Sequence, residues 1–186
     1  MSGDRLPTRG LEAVWSPSPF TIRAAEARDA PALVELARAV GGEPEGWLVT
    51  TTEWRSVGDE RRYLKALRRY PDAAVYVVEL PDGELVGRLS LARDPHPGSI
   101  HVADLGLMVG KAHRRRGIGN ALLEQAVEWA RANRIEKLEL HVFPHNEAAI
   151  RLYERFGFER EGYRRRHYRR ADGDYVDAIL MAYAVG

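Results

Sequence analysis

The sequence predicts a single domain of the α/β (α+β) class, and three observations lead to this fold class. Segments that alternate apolar and polar residues, typical of strands, are interspersed with segments whose apolar residues recur every three or four positions, typical of helices. Turn-forming stretches at 81–84 and 171–174 join pairs of strand-like segments into hairpins. A basic, glycine-containing turn separates a central strand from a long helix. The predicted order is β-α-α-β-β-β-α-β-α-β-β.

Length and composition fit one globular domain. The chain has 186 residues, of which 45% are apolar and 30% are charged. Lys and Arg number 28 against 27 Asp and Glu, so the net charge of +1 gives no signal for nucleic acid or a membrane as partner. There is no cysteine, which excludes disulfides, a thiol nucleophile and a thiolate metal site. Without a spanning or secretory segment, we expect a cytoplasmic protein.

The first half of the chain predicts two helices after a short strand. Residues 1–18 are rich in Pro and Gly and are expected to be a flexible extension, so the domain is predicted to occupy 19–186. A strand is predicted at 20–23. One helix follows near Asp29 and Pro31 and is stopped by two glycines. A second helix is expected to be capped by Thr52, with a break near Gly58, and to run to Tyr70.

The second half alternates strands with two further helices. Asn146 is expected to cap the second of these helices and Gly157 to end it. The predicted strands are 73–80, 85–92, 100–109, 138–142, 158–168 and 175–183, and the first of the two helices is predicted at 118–133.

The basic turn has the composition of a phosphate-binding site. The first amides of a helix have no partner within it, and the helix dipole places partial positive charge there. Glycine at Gly117 and Gly119 removes the Cβ atoms that would keep a phosphate away from those amides. Arg114, Arg115 and Arg116 add formal positive charge. We therefore predict an anion cradle, with a solvated surface turn as the alternative interpretation of the arginines.

Two common phosphate-binding motifs fit this turn poorly. A P-loop needs four residues between its glycines and Ser or Thr after its Lys, but Gly106 and Gly110 enclose three residues and Lys111 precedes Ala112. A dinucleotide fingerprint needs a third glycine where Leu122 stands. A dinucleotide site is therefore kept only as an alternative.

The turn and a downstream segment together resemble a known family. Arg114-x-x-Gly117-x-Gly119 resembles the acetyl-CoA motif (Gln/Arg)-x-x-Gly-x-(Gly/Ala) of the GNAT superfamily of N-acetyltransferases. Residues 146–158 resemble its second motif, Asn-x-x-Ala-x-x-x-Tyr-x-x-x-Gly-Phe. The resemblance spans about residues 20–184. It implies a mixed, mostly antiparallel central sheet of about seven strands, with about four helices on both faces.

The resemblance also implies how acetyl-CoA is held. The amides from Arg115 to Asn120 would bind its pyrophosphate, with Arg114 acting more through its backbone and packing than as a phosphate clamp. The strand before the cradle would splay from the next strand, so that its backbone pairs with the pantetheine. The implied cofactor-binding residues are Leu107, Met108, Val109, Arg114, Arg115, Arg116, Gly117, Ile118, Gly119, Asn120, Asn146 and Tyr153.

Tyr153 and Asn146 each have two interpretations. In the family, the tyrosine at the position of Tyr153 protonates the departing CoA thiolate, whereas by sequence alone it is a packed aromatic residue. Asn146 is expected both to cap its helix and to reach the pantetheine amides.

The general base is less defined by the sequence. Asp104, at the start of the central strand, is the candidate that the resemblance favours, and Glu79 is a second candidate. Asp104 has an equally good structural interpretation, holding a neighbouring loop. Glu43, Glu45 and Trp47 lie in a loop that borders the acceptor site in this family, where acids could meet a cationic amine. The default for that loop is solvation.

Two further groups of residues were weighed for chemistry. His141 and His145 are separated by a proline and are not expected to share one helical face, so no metal site is predicted. In the basic run 164–170, strand geometry predicts charges that alternate across two faces of a solvated hairpin. A CoA phosphate contact, a dimer contact or attraction to RNA are the alternatives for this run.

The sequence therefore predicts an acetyl-CoA-dependent N-acetyltransferase. Without a cysteine to carry the acetyl group, transfer is expected to be direct, to a primary amine of a small amino acid-like molecule or a peptide N-terminus. The segments 157–162 and 172–182 resemble the GNAT subgroup that acts on such acceptors and whose members are often homodimers. A GNAT acting on aminoacyl-tRNA and a non-catalytic CoA-binding regulator are the alternatives.

Overall fold

The computed structural model describes residues 19–48, 54–170 and 172–186. The predicted order of elements is confirmed, and the extension at 1–18 lies outside the described residues. The strands are β1 (Thr21–Ala24), β2 (Ala73–Glu79), β3 (Leu85–Arg93), β4 (Val102–Val109), β5 (Lys137–Val142), β6 (Glu159–Arg169) and β7 (Tyr175–Ala184). The helices are α1 (Ala30–Gly41), α2 (Val57–Leu67), α3 (Ile118–Ala132) and α4 (Glu147–Phe156).

The strands form one sheet of seven in the order β1-β2-β3-β4-β5-β7-β6. Neighbouring strands are antiparallel except for β4 and β5, which are parallel. This is the mixed, mostly antiparallel sheet that the resemblance implied. Within the described ranges, no helix is long and apolar enough to cross a membrane.

Helices cover both faces of the sheet because its central strands bury both sets of side chains. Along β2, Val77 packs with residues of α1 and α2, whereas the next residue, Val78, belongs to the core cluster that contains α3. Consecutive strand residues point to opposite faces. The α1–α2 layer and the α3–α4 layer therefore lie on opposite sides of the same strands.

Two predicted boundaries are wrong by a few residues. The second helix begins at Val57, where the Ser56 hydroxyl accepts a hydrogen bond of 3.1 Å from the Asp59 amide, and it ends at Leu67. The predicted cap, Thr52, lies outside the described residues. The central strand begins at Val102 because the His101 carbonyl turns away and accepts hydrogen bonds from the amides that lead into β5.

A bulge in β6 changes the predicted pattern of the basic run. Arg164 lies opposite Ala178 and Tyr168 opposite Val176, so four steps along β6 match two steps along β7. Arg166 adopts φ of 50°, and its amide donates to the Asp177 carboxylate at 2.6 Å. The expected alternation of charges across two faces is therefore interrupted.

A buried ion pair connects α2 to the centre of the sheet. Glu60 is fully buried, and its carboxylate lies 3.5 Å from Nη2 of Arg88 on β3 and 3.4 Å from Nη1 of Arg55. Burial lowers the pKa of Arg88, whose guanidinium also lies over the Trp54 ring at 5.1 Å. Removing one partner of such a pair leaves an uncompensated charge in a low-dielectric interior.

We therefore expect Glu60→Ala to lower the free energy of unfolding by about 3–5 kcal/mol, measured by chemical denaturation. Glu35→Ala, which removes an exposed carboxylate from α1, is the matched control and should change stability by less than about 0.5 kcal/mol. Equal effects of the two substitutions would contradict the importance of the buried pair.

Candidate functional site

The site is built on a gap between β4 and β5. The two strands pair at three positions, Val102 with Lys137, Ala103 with Leu138 and Asp104 with Glu139, and then separate although both continue. The edge of β4 from Leu105 to Val109 consequently lines a cavity of about 690 Å³.

The cavity gathers most of the residues that the sequence singled out. Arg116 and Asp104 are not among the residues that line it. Those that do are Leu107, Met108, Val109, Arg114, Arg115, Gly117, Ile118, Gly119, Asn120, Asn146 and Tyr153.

The start of α3 presents free amides to this cavity. Gly117 precedes the helix with φ of 82°, a left-handed conformation that favours glycine. The first helical hydrogen bond runs from the Ala121 amide to the Gly117 carbonyl at 3.1 Å. The amides of Ile118, Gly119 and Asn120 come before it and have no partner within the helix, which makes this terminus suited to an anion.

The three arginines of the turn have different environments. Arg115 and Arg116 are exposed, and within the described part of the chain neither makes an ion pair. Arg114 is instead held by the Glu43 carboxylate, and its Nε donates to the Val109 carbonyl at 3.0 Å. Two of the three positive charges are thus unpaired within the described residues, and of these Arg115 lines the cavity.

Gly119 serves packing between helices, a role that sequence reasoning missed. A Cβ atom at Gly119 would lie 2.8 Å from Cδ2 of Leu152, so the absent methyl group allows α4 to approach α3. Gly119 also lines the cavity, and its predicted role in clearing space for a phosphate stays a prediction. At Gly117 the described residues, its chain neighbours aside, place no atom within 4 Å of the Cβ position, so the space there is open.

Asn146, the cap residue of α4, and Tyr153 within the helix both line the cavity. The Asn146 side chain accepts from the Ala149 amide at 3.2 Å, which confirms its predicted capping role. Tyr153 is only 6% exposed and packs against Phe158 with ring centroids 5.7 Å apart. Burial raises the pKa of Tyr153 well above its ordinary value of 10, so its phenol is neutral at physiological pH.

The two carboxylates considered as bases lie away from the cavity lining. Asp104 keeps part of its surface in water on the α1 side of the sheet; partial burial and the charges of Glu139 and Asp94 raise its pKa. Glu79 forms an ion pair with Arg23 near the outer edge of the sheet.

His141 is a cavity residue that the sequence analysis did not assign. It alternates with Leu140 and Val142, which face the α3–α4 core, so it points to the opposite face. Its Nδ1 lies 2.6 Å from the Tyr168 hydroxyl. Burial, aided by the positive charge of Arg164, lowers the pKa of His141 below 6.5. The alternation placed His141 on this face, but only the fold places the cavity beside it.

The loop after α1 forms a further wall of the cavity. Trp47 and Leu48 line it, whereas Glu45 is exposed. Glu43 is not available to a cationic amine, because it pairs with Arg114. Within 19–48, 54–170 and 172–186, no group of three or more His, Asp or Glu residues is arranged to hold a metal ion.

Comparison with known proteins agrees with this geometry. Residues 45–158 match the family described as the acetyltransferase (GNAT) family. The chain is 34% identical over 176 residues to the L-amino acid N-acetyltransferase AaaT of Escherichia coli (strain K12), covering 89% of this chain and 98% of that protein.

Solved structures share the fold. An acetyltransferase of the GNAT family from Streptococcus pneumoniae superposes with a TM-score of 0.79 at 28% identity, covering 89% of this chain and 99% of that one. A phosphinothricin acetyltransferase from Sinorhizobium meliloti, in complex with acetyl-CoA, gives a TM-score of 0.78 at 18% identity, covering 90% and 89%. The chain belongs to the GNAT family and is an acetyltransferase.

Proposed function

We propose that this acetyltransferase moves the acetyl group of acetyl-CoA directly to the primary amine of an amino acid-like molecule or a peptide N-terminus, in the cytoplasm. The observation that carries the proposal is the cavity, which runs from the free amides of α3 through the gap between β4 and β5. The similarity to an L-amino acid N-acetyltransferase supports a small amino acid as the acceptor.

The cradle suits the pyrophosphate of acetyl-CoA. The amides of Ile118, Gly119 and Asn120 would donate to it, and Arg115 and Arg116 would add charge at its mouth. The edge of β4 at Leu107, Met108 and Val109 has no β5 partner, so the peptide groups that face the gap could pair with the pantetheine amides. The Val109 carbonyl is an exception, because it accepts from Arg114. Asn146 lies across the gap, where its side chain can supply a further polar contact.

Tyr153 is the proposed general acid. In the reaction the acceptor nitrogen bonds to the thioester carbonyl carbon and the carbon–sulfur bond breaks, so the departing thiolate needs a proton. A buried neutral phenol that lines the cavity can donate it, and burial keeps that proton in place until negative charge develops on sulfur. The chain has no cysteine, which supports direct transfer without an acetylated enzyme.

His141 is the structure's candidate for the base that accepts the proton of the amine. It lines the cavity from the face opposite α4, and its lowered pKa keeps the imidazole neutral and able to accept a proton at pH 7. Asp104, the sequence-based candidate, remains the alternative, acting through water because it does not line the cavity.

A homodimer is part of the proposal. The edge strand β6 has 11 residues and pairs along one side with β7, while almost all of its residues are exposed. Tyr163 and Tyr175 in this hairpin are 54% and 48% exposed. A second copy covering this hairpin would bury both rings.

Acceptor identity can be tested by measuring thiol release from acetyl-CoA with L-amino acids, peptides with free N-termini and aminoacyl-tRNA. We expect release with an amino acid or peptide. Release with aminoacyl-tRNA alone, with steeply salt-dependent binding, would favour the tRNA alternative and a role for the basic run 164–170. Binding of acetyl-CoA without release on any acceptor would favour the non-catalytic regulator.

Tyr153→Phe should lower kcat by about 100-fold or more, because it removes the proton donor and keeps the packed ring. The Kd of acetyl-CoA, measured by calorimetry, should stay nearly unchanged. Tyr183→Phe is the matched control: Tyr183 packs on the same Phe158 ring at 5.4 Å but does not line the cavity, so its kcat should be that of the parent protein. An unchanged kcat in Tyr153→Phe would contradict the acid role.

The pH dependence of kcat/KM tests the base. His141 acts as a base only when neutral, so kcat/KM should fall as the pH drops through its pKa, which lies below 6.5. His141→Gln should lower kcat/KM and remove this acidic limb, whereas His101→Gln, an exposed histidine in a turn, should leave the profile unchanged. Loss of the limb in Asp104→Asn, with the limb intact in His141→Gln, would assign the base to Asp104.

A further inference from the structure

The loop between α1 and α2 contains a carboxylate that is nearly buried and fully engaged. The Glu43 side chain is 8% exposed, and it forms a two-point ion pair with the Arg114 guanidinium, with Nη1 to Oε2 at 2.8 Å. The same Oε2 accepts a hydrogen bond of 2.9 Å from Nε1 of Trp47. Burial alone would raise the pKa of Glu43, but the hydrogen bonds from Arg114 and Trp47 outweigh it and leave the pKa below its ordinary value.

The Glu43 carboxylate contacts the cradle through its ion pair with Arg114. Arg114 is the first residue of the cradle motif, and its Nε donates to the carbonyl of Val109, the last residue of β4. The guanidinium therefore holds the end of the splayed strand and Glu43 together. A two-point pair between guanidinium and carboxylate fixes orientation as well as distance.

On the other side, the carboxylate is attached to a wall of the cavity. Trp47 lines the cavity and stacks on His145 with ring centroids 5.7 Å apart and planes 22° apart. His145 precedes Asn146, the cap of α4, and its Nε2 lies 3.0 Å from the Glu45 carbonyl. Arg170 of the β6–β7 hairpin donates to the Gly46 carbonyl at 3.1 Å. The loop is thus held at three points, of which Glu43 is the one that reaches the cradle.

We propose that Glu43 is a positioning residue that couples the cradle to the acceptor wall formed by Trp47. The inference rests on the proposed function and adds that CoA bound at the cradle orders the turn that carries Arg114. Arg114 then fixes Glu43, and Glu43 fixes the indole against which the acceptor binds. Coupling of this kind is reciprocal, so a bound acceptor also favours the CoA-binding conformation of the turn.

Glu43→Gln keeps the size of the side chain and removes its charge. Hydrogen–deuterium exchange in the presence of CoA, without an acceptor, measures whether CoA binding stabilises the loop. In the parent protein, CoA should slow exchange of the amides in residues 43–48 by about 5-fold or more, in the range of usual coupling between sites. In Glu43→Gln, CoA should bind and protect residues 115–120, with protection of 43–48 largely lost. Glu45→Gln, an exposed carboxylate two positions on, should behave as the parent does.

Kinetics provide a second readout. In Glu43→Gln the KM of the amine acceptor should rise about 10-fold with kcat little changed. This pattern indicates weaker binding of the acceptor rather than a slower chemical step. Trp47→Phe, which keeps a ring on His145 and removes the hydrogen bond to Glu43, should raise the same KM.

The outcomes separate the coupling from the function. CoA binding with undiminished protection of 43–48 in Glu43→Gln would overturn the coupling and leave the proposed function intact. Absence of CoA binding to the parent protein would contradict both.

Discussion

The site depends on the loss of hydrogen bonding between β4 and β5 beyond Asp104 and Glu139. Where neighbouring strands are paired along their whole length, their peptide groups satisfy each other's hydrogen bonds, and the backbone separates the side chains on the two faces. Where the pairing stops, the edge of β4 is exposed to a cavity, and the two faces of the sheet communicate. Tyr153 reaches this cavity from the α4 layer and His141 from the opposite face, so the proposed acid and the proposed base line one cavity.

Residues of the same type have different electrostatic environments in the site. The guanidinium of Arg114 is neutralised by Glu43, whereas Arg115 and Arg116 face solvent and leave positive charge at the cradle. Burial acts in opposite directions on the two proposed catalytic groups, because it disfavours the charged form of each. It raises the pKa of Tyr153 and lowers that of His141, so both are neutral near pH 7, the state in which a phenol can donate and an imidazole can accept.

Local sequence patterns were sufficient to predict the helices and strands. They were insufficient for features that depend on contacts between residues distant in sequence. The Asn146 cap and the end of α4 at Gly157 follow from backbone groups within one turn, and both were predicted. The bulge at Arg166 depends on Asp177 of the next strand, and the glycine requirement at position 119 depends on Leu152 of another helix. Neither partner can be identified from the spacing of residues in one segment.

The sequence by itself determined the order of elements, the family and the position of the glycine-containing turn proposed as an anion cradle, because periodicity, caps and short motifs are local properties of the chain. The tertiary structure decided which residues share the cavity. It set Asp104 and Glu79 outside the cavity lining, brought His141 into it and paired Glu43 with Arg114, which is 71 positions away. Such selections depend on where β4 and β5 part and on which loop closes over the gap, and these are consequences of packing among elements distant in sequence.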